Sequence, residues 1–232
     1  MKNILLAALA IAAFIVAMLT TPLLFPPDKE QAGAPVEEGL PWQIEILPGG
    51  GSKVFGLTPG ASTLDDALAR LGSDAQIAIV AAPGEAGALE AYWERASAGF
   101  VTGKMILTLD IPAEALERMR QRSAKTEYME SATRKSTLHP DDRQAALVRP
   151  IAAITFIPAA HLDEPMVIHR FGPPAERIRS AEHTEHFLYP GMGLDVRLDA
   201  KGREVLQYVA PREFARLRDP LLAHKNHTEI RR

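Results

Sequence analysis

The sequence predicts an α+β fold, in which an N-terminal transmembrane helix precedes a soluble domain of two similar helix-plus-antiparallel-meander halves. Three observations favour it: an uncharged apolar run at the N-terminus, a capped amphipathic helix from residue 64, and a second helix followed by strands and turns from residue 162. The expected boundaries are a transmembrane anchor or signal at 1–25, a Pro/Gly-rich stalk at 26–52, a first α+β half at 53–111, a helical connector at 112–149, a second α+β half at 150–211 and a basic tail at 212–232.

The composition excludes several classes of partner and site. With 47% hydrophobic and 24% charged residues, the 232-residue chain has the balance of a folded globular protein. A formal net charge of −3 gives no positive field for nucleic acid, so no nucleic-acid partner is expected. Because cysteine is absent, disulfides, thiolate metal sites, a cysteine nucleophile and a lipid-modified cysteine are excluded.

Residues 4–25 carry no charge and form a run long enough to cross a membrane. At about 1.5 Å per residue the run spans a hydrocarbon core of about 30 Å, whereas a signal peptide has an apolar region of only about 7–15 residues. Lys2 precedes the run and Asp28 follows it, which favours a cytoplasmic N-terminus. We therefore expect a single-pass inner-membrane protein with a periplasmic domain. A cleaved signal ending near residues 32–34 is the alternative.

Residues 26–52 are rich in proline and glycine, which predicts a stalk with little helix. Within this stalk, residues 42–46 alternate apolar and polar side chains, as a short strand would. The glycines at 49–51 lack the spacing of a phosphate-binding loop, so no nucleotide site is predicted.

The first half opens with a short helix whose boundaries are marked by its sequence. Thr63 and Asp66 have capping-box spacing, leucines recur with helical period, and Gly72 lies where a left-handed C-terminal residue is wanted. Asp65 and Asp66 are adjacent and do not face each other on a helix, so they are interpreted as cap residues rather than as a catalytic pair.

The remainder of the first half and the connector predict strands and one long helix. Residues 76–81 and 99–111 have strand composition, and residues 88–97 fit either a strand or a short helix. Residues 114–131 contain no glycine or proline and predict a surface helix. Its narrow apolar stripe comprises Leu116, Met119, Tyr128 and Met129.

The second half has the same order of helix and meander, and its strand and turn signals are clearer. Residues 162–172 predict a helix ending in Arg-apolar-Gly, as residues 70–72 do. Residues 177–179 and 186–189 fit strands, and the clean alternation at 194–198 is followed by a hairpin at 199–202 and a return strand at 204–209.

Residues 158–209 resemble the small outer-membrane assembly lipoproteins of the SmpA/OmlA (BamE) family, whose shape is also seen in β-lactamase inhibitor protein. The resemblance is carried by Phe171-Gly172 before Pro174, by the aromatic strand ending at Tyr189, and by Asp199-x-x-Gly202 between two strands. It implies a helical pair packed on a small antiparallel sheet and a binding or scaffolding role in the cell envelope without catalysis.

No catalytic, cofactor-binding or metal-binding residue is predicted, and no cofactor. The nearest metal motif is at 182–186, with His169 close in sequence, but strand periodicity places His183 and His186 on opposite faces. They are interpreted as surface or interface histidines. His224 and His227 fall in a fraying tail. No G-x-S-x-G turn occurs, and the acidic pairs at 141–142 and 163–164 fall in helix first turns.

The expected function is a membrane-anchored periplasmic binding or scaffold module, non-enzymatic, acting in envelope assembly or maintenance. Its expected partners are envelope proteins and, through the N-terminal span, the membrane. The alternative is a periplasmic lipid or small-ligand carrier with a cavity between helices and sheet, and a hydrolase or metalloenzyme is a third possibility. Phe171, Tyr189 and Tyr208 are assigned to the core or to an interface.

Overall fold

A computed structural model describes residues 38–129 and 132–230, which form helices and strands in mixed order. The strands are β1 (Glu45–Leu47), β2 (Gly51–Lys53), β3 (Gln76–Ala81), β4 (Ala88–Ala98), β5 (Val101–Leu109), β6 (Lys125–Tyr128), β7 (Arg134–Thr137), β8 (Ile151–Pro158), β9 (Glu176–Ala181), β10 (Thr184–Tyr189), β11 (Leu194–Asp199) and β12 (Val205–Tyr208). The helices are α1 (Leu64–Leu71), α2 (Ala113–Gln121), α3 (Pro140–Leu147), α4 (Glu164–Phe171) and α5 (Ala215–Ile230).

The predicted fold of two similar helix-plus-meander halves is wrong, because the strands after β2 form one ten-stranded sheet. Its order is β6-β7-β3-β4-β5-β8-β12-β11-β10-β9, and every neighbouring pair is antiparallel. Strand β8 joins the two meanders: Phe156 lies opposite Met105 of β5 and Leu206 of β12. Pairing on both sides of β8 satisfies backbone groups that two separate sheets would leave exposed at their edges.

The single-pass inner-membrane placement is also corrected. Within residues 38–129 and 132–230, no helix is long and apolar enough to cross a membrane. The predicted span at 4–25 and the stalk residues up to 37 lie outside the described residues.

The described part of the expected stalk packs onto the domain instead of standing away from it. Leu40 and Ser52 are buried, and the Tyr208 hydroxyl donates a hydrogen bond of 2.9 Å to the Pro41 carbonyl oxygen. Residues 45–53 form the β1–β2 hairpin, which is shifted along the chain from the strand predicted at 42–46. Apolar side chains in this proline-rich segment explain the difference, since their burial stabilises the packed conformation.

The long connector helix predicted at 114–131 is wrong in its second part. Helix α2 ends at Gln121, and β6 and β7 then form a hairpin that pairs with β3. This hairpin gives β3 a neighbour on its free side, an arrangement that tertiary pairing favours over local helix propensity. Tyr128, expected in the apolar stripe, is 75% exposed on the hairpin.

The local signals at the start of helices α1 and α4 are confirmed. Thr63 and Asp66 form the predicted capping box, and the Asp163 carboxylate accepts a 2.8 Å hydrogen bond from the Met166 backbone N–H. Gly72 has a positive φ of 103°, but its ψ of 155° is extended rather than left-handed helical. The expected basic tail contains helix α5, which packs on β9.

The two faces of the sheet carry cores of different size. Helices α1 and α4 and the segment at 40–57 cover one face, where Trp93, Phe156 and Tyr208 are fully buried. Phe171 and Tyr189 are buried there as well. On the other face a small cluster joins the sheet to α5, and its buried members are Ile178, Leu188, Val209 and Phe214.

Candidate ligand pocket

An apolar pocket of about 180 Å³ lies between helix α4, the segment around Trp42 and the central strands. The lining comes from elements that are far apart in the sequence, and it is almost entirely apolar. The lining residues are Pro41, Trp42, Phe100, Val101, Phe156, Pro158, Ala160, His161, Leu162, Met166, Val167, Arg170, Phe171 and Leu206.

The floor of the pocket is the rigid centre of the sheet. Phe156 and Leu206 lie directly opposite each other on β8 and β12, and both are buried. The Phe156 ring also packs against Phe55, with 5.4 Å between ring centroids, and Phe55 makes an edge contact with Tyr208. Because these rings pack against one another, the floor of the pocket is formed without a ligand.

One wall of the pocket is helix α4. Val167 and Phe171 are buried and one turn apart on the helix, so they face the sheet together. The helix is held at its end by Tyr189, whose hydroxyl donates a 2.9 Å hydrogen bond to the Gly172 carbonyl oxygen. Burial raises the pKa of Tyr189 to about 12, so this hydroxyl stays protonated and remains a donor at neutral pH.

Two aromatic rings from different parts of the chain also line the pocket. The Trp42 and Phe100 ring centroids are 6.0 Å apart, with the rings tilted by 56°. Phe100 lies in the β4–β5 turn and is 63% exposed, so much of its ring faces solvent. An exposed large aromatic side chain beside a preformed apolar pocket is typical of a binding surface.

The polar groups at the pocket are an arginine and a histidine. The Arg170 guanidinium lies over the Trp42 ring, 4.2 Å from its centroid. His161 contacts the buried carboxylate of Glu204 at 2.5 Å. These two side chains are the charged or titratable residues in a lining that is otherwise apolar.

One of the two histidines in the 182–186 segment is buried, which corrects the surface or interface assignment for that residue. His183 lies in the β9–β10 turn, whereas His186 is 6% exposed and does not belong to the surface. His169 is exposed on α4. Over residues whose positions the structure describes, no group of three or more metal-ligating side chains is close enough to hold an ion. The side chains of His224 and His227 lie outside that description.

His186 is the centre of a hydrogen-bonded chain across three strands. Its Nδ1 is 2.8 Å from the Asp195 carboxylate and its Nε2 is 3.0 Å from the Ser180 hydroxyl. An imidazole that donates from Nδ1 to Asp195 either accepts at Nε2 from the Ser180 hydroxyl or, when protonated, donates to it. These side chains lie on the sheet face that carries Ile178 and Leu188, two residues of the cluster packed against α5.

The hydrogen-bonded order Ser–His–Asp is that of a hydrolase triad, but the burial of the histidine and the aspartate indicates a structural role. Asp195 is 1% exposed, His186 is 6% exposed and Ser180 is half-buried, and their side chains link β9, β10 and β11 on the face that packs against α5. Buried polar groups are normally hydrogen-bonded in this way because an unpaired group costs about 1–3 kcal/mol.

We expect Ser180→Ala to lower the free energy of unfolding by about 1 kcal/mol, because it removes one of the hydrogen bonds that join Ser180, His186 and Asp195. We also expect a fluorophosphonate reagent to leave the mass of the protein unchanged. Urea unfolding and intact-mass spectrometry check these two results. An adduct that forms on the natural chain and is lost in Ser180→Ala would contradict the structural assignment.

A cavity between helices and sheet is expected only under the carrier alternative, and the residues that line this pocket are not predicted from the sequence. Trp42 was interpreted as part of a short strand, Phe100 as part of a strand run and Arg170 as the end of a helix. The one available signal was an aromatic residue directly after Gly99, where a turn exposes the side chain.

Comparisons with protein-family models, with curated proteins and with solved structures gave no match. The resemblance of residues 158–209 to the SmpA/OmlA (BamE) family therefore stays a prediction.

Proposed function

We propose that this protein is a binding module that takes the apolar part of a small ligand into the pocket beside α4. The observation that carries the proposal is the preformed, almost wholly apolar lining, with a buried floor and an exposed aromatic at its rim. This apolar lining favours a small-ligand carrier, the alternative function expected from the sequence. The envelope protein partner of the scaffold hypothesis stays a prediction.

The volume limits the size of the ligand group. A cavity of about 150 Å³ lined by aliphatic and aromatic side chains binds benzene, and sites for drug-sized ligands run to about 300–1,000 Å³. The pocket here, at about 180 Å³, is close to the first of these. It therefore fits one aromatic ring or an alkyl chain of about six or seven carbons.

The expected affinity follows from that size. Burying six methylene groups contributes about 5 kcal/mol at about 0.8 kcal/mol each. Association costs at least about 4 kcal/mol at the 1 M standard state in lost translational and rotational freedom, so only a small part of that contribution remains as affinity. We therefore expect weak binding of a simple hydrocarbon group, with a Kd of about 1 mM or higher.

The test is isothermal titration calorimetry of the full-length chain with 1-hexanol and with benzyl alcohol. We expect saturable binding that Ala160→Phe weakens at least tenfold, because an added ring at this exposed lining position fills the pocket. Ala159→Phe is the matched control. Ala159 is the exposed neighbour and lies outside the lining, so its replacement should change the Kd less than twofold.

Two results would contradict the proposal. The natural chain shows no saturable binding of either alcohol, or both phenylalanine variants bind as it does. Because the two variants add the same side chain at neighbouring exposed positions, a general effect of surface hydrophobicity would appear in both.

A further inference from the structure

The Arg170 guanidinium places a positive charge at the lining of the pocket. Within residues 38–129 and 132–230 it contacts the Trp42 ring, and no carboxylate forms an ion pair with it. A cation–π contact uses no hydrogen-bond acceptor, so the N–H donors of the guanidinium remain available. The contact also restricts a long side chain that would otherwise lose freedom on binding an anion.

The acidic groups near Arg170 already have other partners. On α4, the Asp163 carboxylate caps the helix and Glu164 is 2.6 Å from Arg177. At the other side of the pocket, the carboxylate of Glu204 is held by His161. None of these acidic groups neutralises Arg170, which leaves a positive charge beside an apolar cavity.

We propose that the ligand is a short anionic amphiphile, with an alkyl or aryl group in the pocket and a carboxylate bound by Arg170. This inference rests on the proposed function of the pocket and adds the chemistry of the ligand's head group. Guanidinium presents paired N–H donors that match the two oxygens of a carboxylate, and such charge-assisted contacts are about twice as strong as neutral ones. The cavity of about 180 Å³ selects a tail of about seven carbons or one ring and excludes the full acyl chain of a membrane lipid.

The experiment compares three ligands that share a tail and differ in charge: octanoate, 1-octanol and octylamine. Calorimetric titration of the full-length chain at neutral pH should give a Kd for octanoate about tenfold lower than for octanol, with octylamine the weakest. The preference should decrease as salt is added, because the contact at Arg170 is exposed to solvent. Hexadecanoate should bind no more tightly than octanoate.

Three variants test whether Arg170 causes the preference for octanoate over octanol. Arg170→Gln should bring octanoate and octanol within twofold of each other, and Arg170→Glu should reverse the order in favour of octylamine. Arg143→Gln removes an exposed arginine of α3 outside the pocket and should leave the tenfold preference intact. The reversal in Arg170→Glu is a gain of binding, so it does not arise from a loss of folding.

The outcomes separate this inference from the proposed function. If octanoate and octanol bind the natural chain equally, the pocket is a binding site but the anionic head group is wrong. If none of the three ligands binds, both proposals fail. If octanoate is preferred and Arg170→Gln keeps the preference, the carboxylate binds elsewhere and the inference is overturned.

Discussion

Phe156→Ala is expected to lower the free energy of unfolding by about 3–5 kcal/mol. The side chain is fully buried on β8, and it contacts the Phe55 ring and faces residues of both meanders. Its removal leaves a cavity at the centre of the sheet, where neighbours paired on both sides cannot relax to fill it. Because β8 belongs to both meanders, we expect them to lose stability together.

Urea unfolding followed by tryptophan fluorescence and by far-ultraviolet circular dichroism checks this result. The two signals should coincide in a single transition for the natural chain and for the variant. Native-state hydrogen exchange should show equal loss of protection in β4 and β10. Phe100→Ala is the matched control, since the same truncation at a 63% exposed position should cost about 0.5 kcal/mol or less.

Two separate transitions would contradict the shared sheet. They would mean that each meander unfolds independently and that β8 does not couple the two. A Phe156→Ala variant that destabilises β4 without affecting β10 would point to the same conclusion.

Gly193→Ala is expected to lower the free energy of unfolding by about 3 kcal/mol. Gly193 follows the turn between β10 and β11 with a φ of 68°, and a Cβ there would lie 2.0 Å from the Val209 carbonyl oxygen. The Gly193 carbonyl oxygen also accepts a hydrogen bond of 2.9 Å from the Val209 N–H. An alanine therefore needs an unfavourable backbone conformation and pushes apart two hydrogen-bonded segments.

Gly191→Ala is the matched control in the same turn. A Cβ at Gly191 would meet no atom within 4 Å, so the free energy of unfolding should change by about 0.5 kcal/mol or less. Thermal and urea unfolding of both variants give the comparison. Equal losses of stability in the two variants would show that the turn tolerates a side chain at either position and that the close approach to Val209 has little effect.

Helix starts were the features that the sequence predicted best. Thr63 with Asp66, and Asp163 with the Met166 N–H, act within one turn of the chain, so their hydrogen bonds depend on few other residues. The acidic pair at 141–142 likewise lies in the first turn of α3.

The connector shows why longer elements were harder to predict. Residues 125–128 have good helix formers around them, yet they pair with β7, and β7 pairs with β3 from much earlier in the chain. Helix propensities differ by less than about 1 kcal/mol for ordinary residues, and pairing at the edge of a large sheet outweighs them. That pairing has no signature within residues 114–131 themselves.

The lining residues of the candidate site could not be predicted from the sequence for a related reason. Trp42, Phe100 and Arg170 are far apart in the chain and meet because α4 and the segment at 40–57 cover the same face of the sheet. The Ser180–His186–Asp195 chain depends in the same way on the register of β9, β10 and β11.

The sequence by itself determined the folded character of the chain, the cap of α1, the start of α4, the meander at 184–208 and the absence of cysteine chemistry. Each of these depends on composition or on hydrogen bonds between nearby residues. Only the tertiary structure decided that both meanders share one sheet through β8, that residues 40–52 pack onto it, and that an apolar pocket forms beside Arg170. The physical reason is that burial and strand pairing act between residues distant in the chain, which local patterns do not specify.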